Sequence, residues 1–468
     1  MSKLSTLVKN TIIIALGKLS TQFIGFLLLP LYTAYLTKDE FGTVDLITVI
    51  TWLLAPMVIM SLEMAVFRFL IDSRGDSEQT TSTITNSLQM IIYSILTCTV
   101  LYSSVAAFID IPYKWIIPCF MVSFIASSYC LQITRGMGRN IAYSIGSAVA
   151  GVTTIILSIV LTVNFQLGAQ GILIATAVGN AACAIFLAYL LKIPSYFNRK
   201  LASWQAKKNL LAYSLPLIPN GIFWWLANIA DRIIITAILG VATNGIYAVA
   251  YKFPQIFTAC YNFFSLSWAE SASVHINSKD RNQFFSQVID TALRFLGSFS
   301  AILIVGTSIV FGILVNVSYQ EARLYIPPLM IGAFFVAIAD MYHAIYIARK
   351  ATKQVLKTSL LAAIASITVS TILIPWIGLF APAVALVVSY SAVIFIRHRD
   401  TKKSVIIHYR PSTIASIILL HTIAIGLYYV QSHLAMIANL LLVSVGAIYI
   451  NKSMLYAAYK KLITAKDK

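Results

Sequence analysis

Fourteen stretches of this chain are each long and apolar enough to cross a bilayer, and few folds can accommodate that. A helix needs about 20 apolar residues to span the hydrocarbon layer, and it must pair its own backbone groups there because no water can. The stretches fall near residues 10–36, 41–66, 84–108, 111–134, 141–164, 168–191, 210–238, 242–269, 287–315, 324–347, 354–377, 380–397, 412–430 and 434–451. Charged residues make up 11% of the chain, against about 25% in soluble domains, which excludes a water-soluble core. The longest polar connections, near 70–82, 192–208 and 398–411, are too short to fold alone. The expectation is an all-α polytopic membrane protein of about 14 transmembrane helices.

A net charge of +18 would suit a nucleic-acid partner, but its distribution argues for topology. With a cytoplasmic N-terminus, 27 of the 34 Lys and Arg residues fall on the inner side. Only Lys38, Lys114 and Arg323 fall outside, as the positive-inside rule requires of fourteen spans with both termini cytoplasmic. Four cations remain inside the spans: Lys18, Arg232, Lys252 and Arg294. The first apolar run is too long for a secretory signal and lacks its small-residue cleavage pattern. Cys98, Cys119, Cys130, Cys183 and Cys260 have neither metal-ligand spacing nor a disulfide framework; apolar packing is their expected role, and no metal is expected.

The helices read as six, six and two. Gly42, after the first helix, aligns with Gly245 after the seventh, and Arg139 before the fifth aligns with Arg349 before the eleventh. The separations are 203 and 210 residues, so one modest insertion reconciles them. Both six-helix halves start inside, which predicts two bundles related by a pseudo-two-fold axis along the membrane normal, with the cargo site between them. The expected boundaries are 1–192 for the first bundle, 193–209 for a cytoplasmic linker, 210–398 for the second bundle, and 399–468 for two added helices and a basic tail.

Tyr35 to Leu46, with its Leu-Thr-x-x-x-Phe-Gly-x-x-Asp-Leu pattern, resembles the first inter-helix connection of Wzx-type polysaccharide repeat-unit flippases. These belong to the multidrug/oligosaccharidyl-lipid/polysaccharide exporter superfamily. Ser61 to Phe69 resembles the end of their second helix, and Ala230 to Ile235 with Leu239 to Val249 resembles their seventh helix and its exit. The resemblance implies a polyprenyl-pyrophosphate-linked oligosaccharide as cargo, taken from the inner to the outer leaflet of the bacterial cytoplasmic membrane. It also implies work beside membrane lipids and the polymerase and glycosyltransferases of one pathway. No bound cofactor is implied; coupling to membrane potential, protons or sodium is left open.

A cation in the bilayer is expensive, so each buried one is a candidate site residue. Lys18, Thr21, Gln22 and Gly25 follow helical spacing and make a polar stripe about 12 Å from the inner end of the first helix. Lys18 can line a cavity there or snorkel to the headgroups. The eighth helix carries Tyr247, Tyr251, Gln255, Thr258, Asn262 and Ser265 on one face, with Lys252 beside it. The resemblance assigns Lys18 and Lys252 to the cargo pyrophosphate. Arg232 and Arg294 are further cation candidates for the cargo. Asp231, about 100° around the helix from Arg232, is expected to be a poor direct partner, with interhelical ion pairing as the alternative for both. Arg294 can also snorkel.

Glu63 and Asp340, the latter with His343 one turn on, are candidates for ion coupling or for neutralising a cation. Pro30, Pro216, Pro219 and Pro254 are candidate hinges, and Pro327 and Pro328 are expected to interrupt the tenth helix. Trp224 and Tyr251 can stack on sugars or anchor headgroups.

Three functions compete. A lipid-linked oligosaccharide flippase working by alternating access fits the buried cations best. A cation-coupled drug or metabolite antiporter would favour an acidic cavity. A membrane glycosyltransferase or polymerase would need metal ligands, paired carboxylates or a large extramembrane loop, and none stands out; Gly17-Lys18 lacks the remaining glycine of a P-loop.

Overall fold

Pairing every backbone group inside its own segment is what lipid demands, and each regular element among the described residues is helical. The computed structural model describes residues 25–349 and 351–466, with backbone alone for 220, 224, 227, 228, 266, 352 and 457–466. Lys18, Thr21 and Gln22 therefore lie outside the described residues, as does the side chain of Trp224. By internal contacts the chain forms two units, Met1–Trp225 and Leu226–Lys468.

The first unit contains α1 (Leu29–Tyr35), α2 (Lys38–Val58), α3 (Leu62–Asp72), α4 (Ser77–Ala106), α5 (Ile116–Gly136), α6 (Asn140–Ile159), α7 (Gly168–Leu190) and α8 (Trp204–Ser214). Next comes α9 (Leu217–Ile229), within which the division between units falls. The second unit continues with α10 (Asp231–Leu239), α11 (Val241–His275), α12 (Arg281–Leu314), α13 (Ile326–Ala348), α14 (Thr352–Ile377), α15 (Phe380–Thr401), α16 (Pro411–Val430) and α17 (His433–Lys466).

Eleven helices among the described residues are long and apolar enough to span a membrane. The expected first span lies mostly outside those residues. The seventh is divided by breaks at Leu215–Pro216 and at Ala230, which leaves each piece short. The eighth is α11, ample at 35 residues but made too polar by its stripe to count as an apolar span.

The Leu-Thr-x-x-x-Phe-Gly pattern proves to be a helix start. The Thr37 side chain accepts the Glu40 N–H at 3.2 Å while Glu40 Oε2 accepts the Thr37 N–H at 2.9 Å, a reciprocal cap. Glu40 Oε1 also accepts the Ala169 N–H at 3.4 Å, tying the start of α2 to α7.

The expected second span, 41–66, is not one helix. Pro56 lies inside α2, the Ser61 N–H reaches back to the Pro56 carbonyl at 2.7 Å, and Met60 and Ser61 adopt left-handed conformations with φ of 54° and 51°. Pro327 and Pro328 open the first turn of α13 and do not interrupt it, because a missing N–H costs nothing there.

The internal repeat reappears in the element bounds. Lys38–Asp72, spanned by α2 and α3, and Val241–His275, spanned by α11, are offset by 203 at both ends. From α5 and α13 onward the starting residues are offset by 210 or 212. The largest single part of the inserted length lies in α12, which has 34 residues against 30 in α4.

Each unit also holds its post-sixth-helix connection in the same manner. Thr85 and Asn86 of α4, both fully buried, fix residues 196–203. Thr85 Oγ1 donates to Tyr196 O at 2.9 Å and accepts the Asn198 N–H at 3.0 Å, while Asn86 bonds Leu201 O at 3.0 Å and the Ser203 N–H at 2.9 Å. In the second unit Asn282 and Ser286 of α12 accept the N–H groups of Ile406 and His408 at 3.0 and 2.9 Å.

Candidate functional site

Two polar clusters lie inside the second unit, reached from either end of the α11 stripe. At the first, α10 starts at Asp231 directly after the turn at Ala230, so this carboxylate occupies a first helical turn whose N–H groups lack helical acceptors. Asp231 Oδ1 accepts the Arg232 N–H at 3.0 Å and lies 3.3 Å from Arg232 Nη1. The Tyr247 hydroxyl donates to Oδ2. The Arg232 guanidinium sits over the Tyr251 ring at 4.5 Å and the Tyr247 ring at 5.6 Å, and the residue is 4% exposed. A carboxylate and two aromatic faces thus surround the buried cation. The expectation that Asp231 and Arg232 are poor partners is corrected. A helix starting at Asp231 lets its side chain fold back over its neighbour, which mid-helix geometry would forbid.

Beyond this cluster Lys252 and Gln255 are half-buried, while Thr258 and Asn262 are exposed, so the middle of the stripe is open. Pro254 lies within α11 without breaking it. The stripe closes on the second cluster. Asp340 Oδ2 of α13 accepts the hydroxyls of Tyr261 at 2.9 Å and Ser265 at 2.8 Å, with His343 half-buried one turn on.

Beside Asp340 lies a cation that the sequence reading placed in an inner connection. Arg397 of α15 is 5% exposed; its Nε and Nη2 donate to Thr358 Oγ1 at 3.0 and 2.9 Å, and its Nη1 to Ala339 O at 2.7 Å. It therefore ties α13, α14 and α15. The signal for it was present: extending the helix past residue 397 puts Arg397 on one face with Tyr390 and Val393, both buried.

Other candidates stand apart. Arg294 pairs with Asp290 at 2.7 Å and donates to Ser453 at 3.3 Å, while Thr413 donates to Asp290 at 2.7 Å. These contacts fasten α12 to α16 and α17 and do not bring Arg294 to the α11 stripe. Glu63, in the first unit, occupies the first turn of α3 just past the left-handed break; it is buried, and its Oε2 has no hydrogen-bond partner among the described residues. Pro30 starts α1, Pro216 lies in the break between α8 and α9, and Pro219 is in the first turn of α9.

The second unit also contains an apolar cavity of about 930 Å³ between α12, α13, α15 and α16. Leu293, Ile331, Phe335, Ile394, Phe395 and Ile418 wall it. His398 Nδ1 lies at one part of its lining, 3.1 Å from the Tyr342 hydroxyl and 3.4 Å from that of Tyr409. Among the described residues, no group of His, Cys, Asp and Glu is placed to hold a metal ion. Chemically, the unit offers a clamped cation, a second cation and an open run of amide and hydroxyl groups, with a separate apolar volume.

Residues 7–268 match the model of a family described as polysaccharide biosynthesis protein. No curated protein matches the chain. Among solved structures, the inward closed conformation of the lipid II flippase MurJ is similar over 95% of this chain and 100% of that one, with a TM-score of 0.67 and 13% identity. An inward-facing multidrug resistance MATE family transporter of the MOP superfamily is similar over 85% and 95%, with a TM-score of 0.61 and 12% identity. An outward-facing one is similar over 88% and 95%, with a TM-score of 0.59 and 13% identity. The chain shares the fold of these transporters.

Proposed function

Because the chain belongs to the polysaccharide biosynthesis protein family, we propose that it is a flippase. Its cargo is a polyprenyl-pyrophosphate-linked oligosaccharide, moved from the inner to the outer leaflet of the bacterial cytoplasmic membrane for O-antigen, capsule or teichoic-acid-like polymer synthesis. The observation that carries this reading is the α11 stripe, which sets Gln255, Thr258 and Asn262 beside Lys252 and the clamped Arg232. Amides and hydroxyls bind sugar hydroxyls, and a pyrophosphate competes with Asp231 for the Arg232 guanidinium through charge-assisted hydrogen bonds. In this reading Lys18 supplies a further cationic contact, and Thr21 and Gln22 further polar ones. Tyr251 stacks on a sugar, and the apolar cavity takes the polyprenyl chain.

Transport proceeds by alternating access, with bending at Pro30, Pro216, Pro219 and Pro254. Where an ion is coupled, Asp340 with His343, or Glu63, carries it. The fold shared with a lipid II flippase supports a lipid-linked cargo.

Complementation of a strain lacking the flippase tests the site. Lys18→Ala and Lys252→Ala should abolish surface polysaccharide while the protein remains in the membrane, and Lys→Arg at either position should restore part of it. Full activity in both alanine variants would remove these residues from the site.

A further inference from the structure

The connection that follows α7 is a rigid basic plate. Residues 192–208 contain Lys192, Arg199, Lys200, Lys207 and Lys208 and no acid; the sequence has no Asp or Glu between Asp110 and Asp231. The four hydrogen bonds made by Thr85 and Asn86 hold the segment, and Ile193 within it and Leu210 just after it are buried in the first unit's apolar core. What faces away is Lys192, Arg199, Lys200 and Lys208, all exposed, together with Trp204 at 74% exposure and Phe197 at 36%.

The second unit holds its matching connection in the same way but pairs part of its charge with acids. There Lys403 lies 3.3 Å and Arg349 3.7 Å from Asp400, and Arg410 lies 4.0 Å from Asp290. Of the acids at that end of the first unit, Asp72 pairs with Arg68 and Asp76 caps α4, while Glu78 is exposed in the first turn of α4. Among the described residues, none of the five cations in 192–208 makes an ion pair. A surface that keeps lone cations beside an exposed tryptophan is complementary to anion at headgroup depth, which is where a segment leaving one spanning helix and leading to the next must lie.

We propose that residues 192–208 form a docking surface for anionic phospholipid headgroups, with Arg199, Lys200 and Lys208 binding the phosphate-bearing lipid and Trp204 inserted among the headgroups. This assignment does not depend on the cargo.

The test uses the whole protein in vesicles of phosphatidylcholine containing phosphatidylglycerol. Trp204 emission is taken as the difference between the natural protein and W204F, with either lipid carrying a nitroxide quencher near its headgroup. Labelled phosphatidylglycerol should quench Trp204 more strongly than labelled phosphatidylcholine at equal mole fraction. Each cation removed (R199Q, K200Q, K208Q) should lower that preference, by up to about five-fold per residue at low salt. In the natural protein, 1 M salt should shrink the preference as well, a control independent of any variant's folding. Equal quenching by the two lipids would overturn the proposal. So would a Trp204 that neither lipid quenches but aqueous iodide does, the outcome expected of a surface that binds an acidic protein instead.

Discussion

Arg232 shows what a cation needs in order to stay inside this fold. Its charge is met by Asp231 and by the faces of Tyr247 and Tyr251, so removing it leaves the Asp231 carboxylate, still bonded to the Tyr247 hydroxyl, without this cation beside it. Arg232→Ala should therefore destabilise the protein by about 3–5 kcal/mol, seen as a lower thermal unfolding midpoint in detergent. Arg232→Lys keeps the charge, loses the planar stacking, and should fall between the two. An unchanged midpoint for Arg232→Ala would show that the clamp contributes nothing. Arg397→Ala should act differently: Thr358 Oγ1 keeps its bond to the Gln354 carbonyl and Ala339 stays within α13, so the loss is that of the guanidinium's own bonds, about 1.5–3 kcal/mol. The same melting experiment reads both variants. Arg232 and Lys252 were legible because a charge inside an apolar run has few innocent explanations. Arg397 was not, because a charge at the end of a run looks like a loop residue. The bonds of Asp340 to Tyr261 and Ser265 were hidden for another reason: periodicity gives the face a residue occupies but not the helix it meets.

The elements divide in the same way. Helix type and approximate extent follow from apolar length, and the Thr37 and Glu40 cap is readable as a motif. The break between α2 and α3 escaped because Met57, Val58, Ile59 and Met60 continue the apolar run past Pro56, while the left-handed turn they enter leaves no compositional mark. Ser61, at φ 51°, lies where a Cβ is crowded. Ser61→Gly should hold or raise the unfolding midpoint, and Ser61→Val should lower it; the reverse order would mean that the turn is not a feature of the folded protein. Close packing of α6 on α7 gives a second element-scale prediction. A Cβ on Gly179 would come within 2.7 Å of the Ala150 carbonyl, whereas one on Gly221 would meet nothing within 4 Å. Gly179→Ala should thus cost stability through displaced backbone, and Gly179→Val more, while Gly221→Ala leaves the midpoint near that of the natural protein.

At the scale of the whole molecule, the repeat seen in Gly42 and Gly245 recurs in the ends of helices whose sequences share little else. The two halves share segment lengths and helix starts but carry different residues. The second unit has the open polar stripe and the clamped arginine; the first has Glu63, whose Oε2 has no hydrogen-bond partner among the described residues, and an acid-free basic connection. In the proposed function the second unit supplies Arg232, Lys252 and the α11 stripe to the cargo, and the first adds Lys18, Thr21 and Gln22. A pyrophosphate of about two negative charges gains roughly 4–5 kcal/mol on moving outward across 100 mV, inside negative, if no protein charge returns with it. Flipping should accordingly accelerate when a valinomycin potential is imposed at equal pH and sodium; a rate that ignores potential and follows a proton or sodium gradient would assign the driving force to Glu63 or Asp340.

The proposed activity is the movement of a lipid-linked oligosaccharide across the membrane. Purified protein in liposomes containing a labelled polyprenyl-pyrophosphate oligosaccharide, with a glycan-cleaving enzyme added outside, measures it directly. Half of the label should be cleaved at once and the inner half thereafter, at a rate set by the protein and lost in Lys252→Ala. An inner half that stays protected as long as in protein-free liposomes, while the same vesicles transport a cationic drug, would contradict the account.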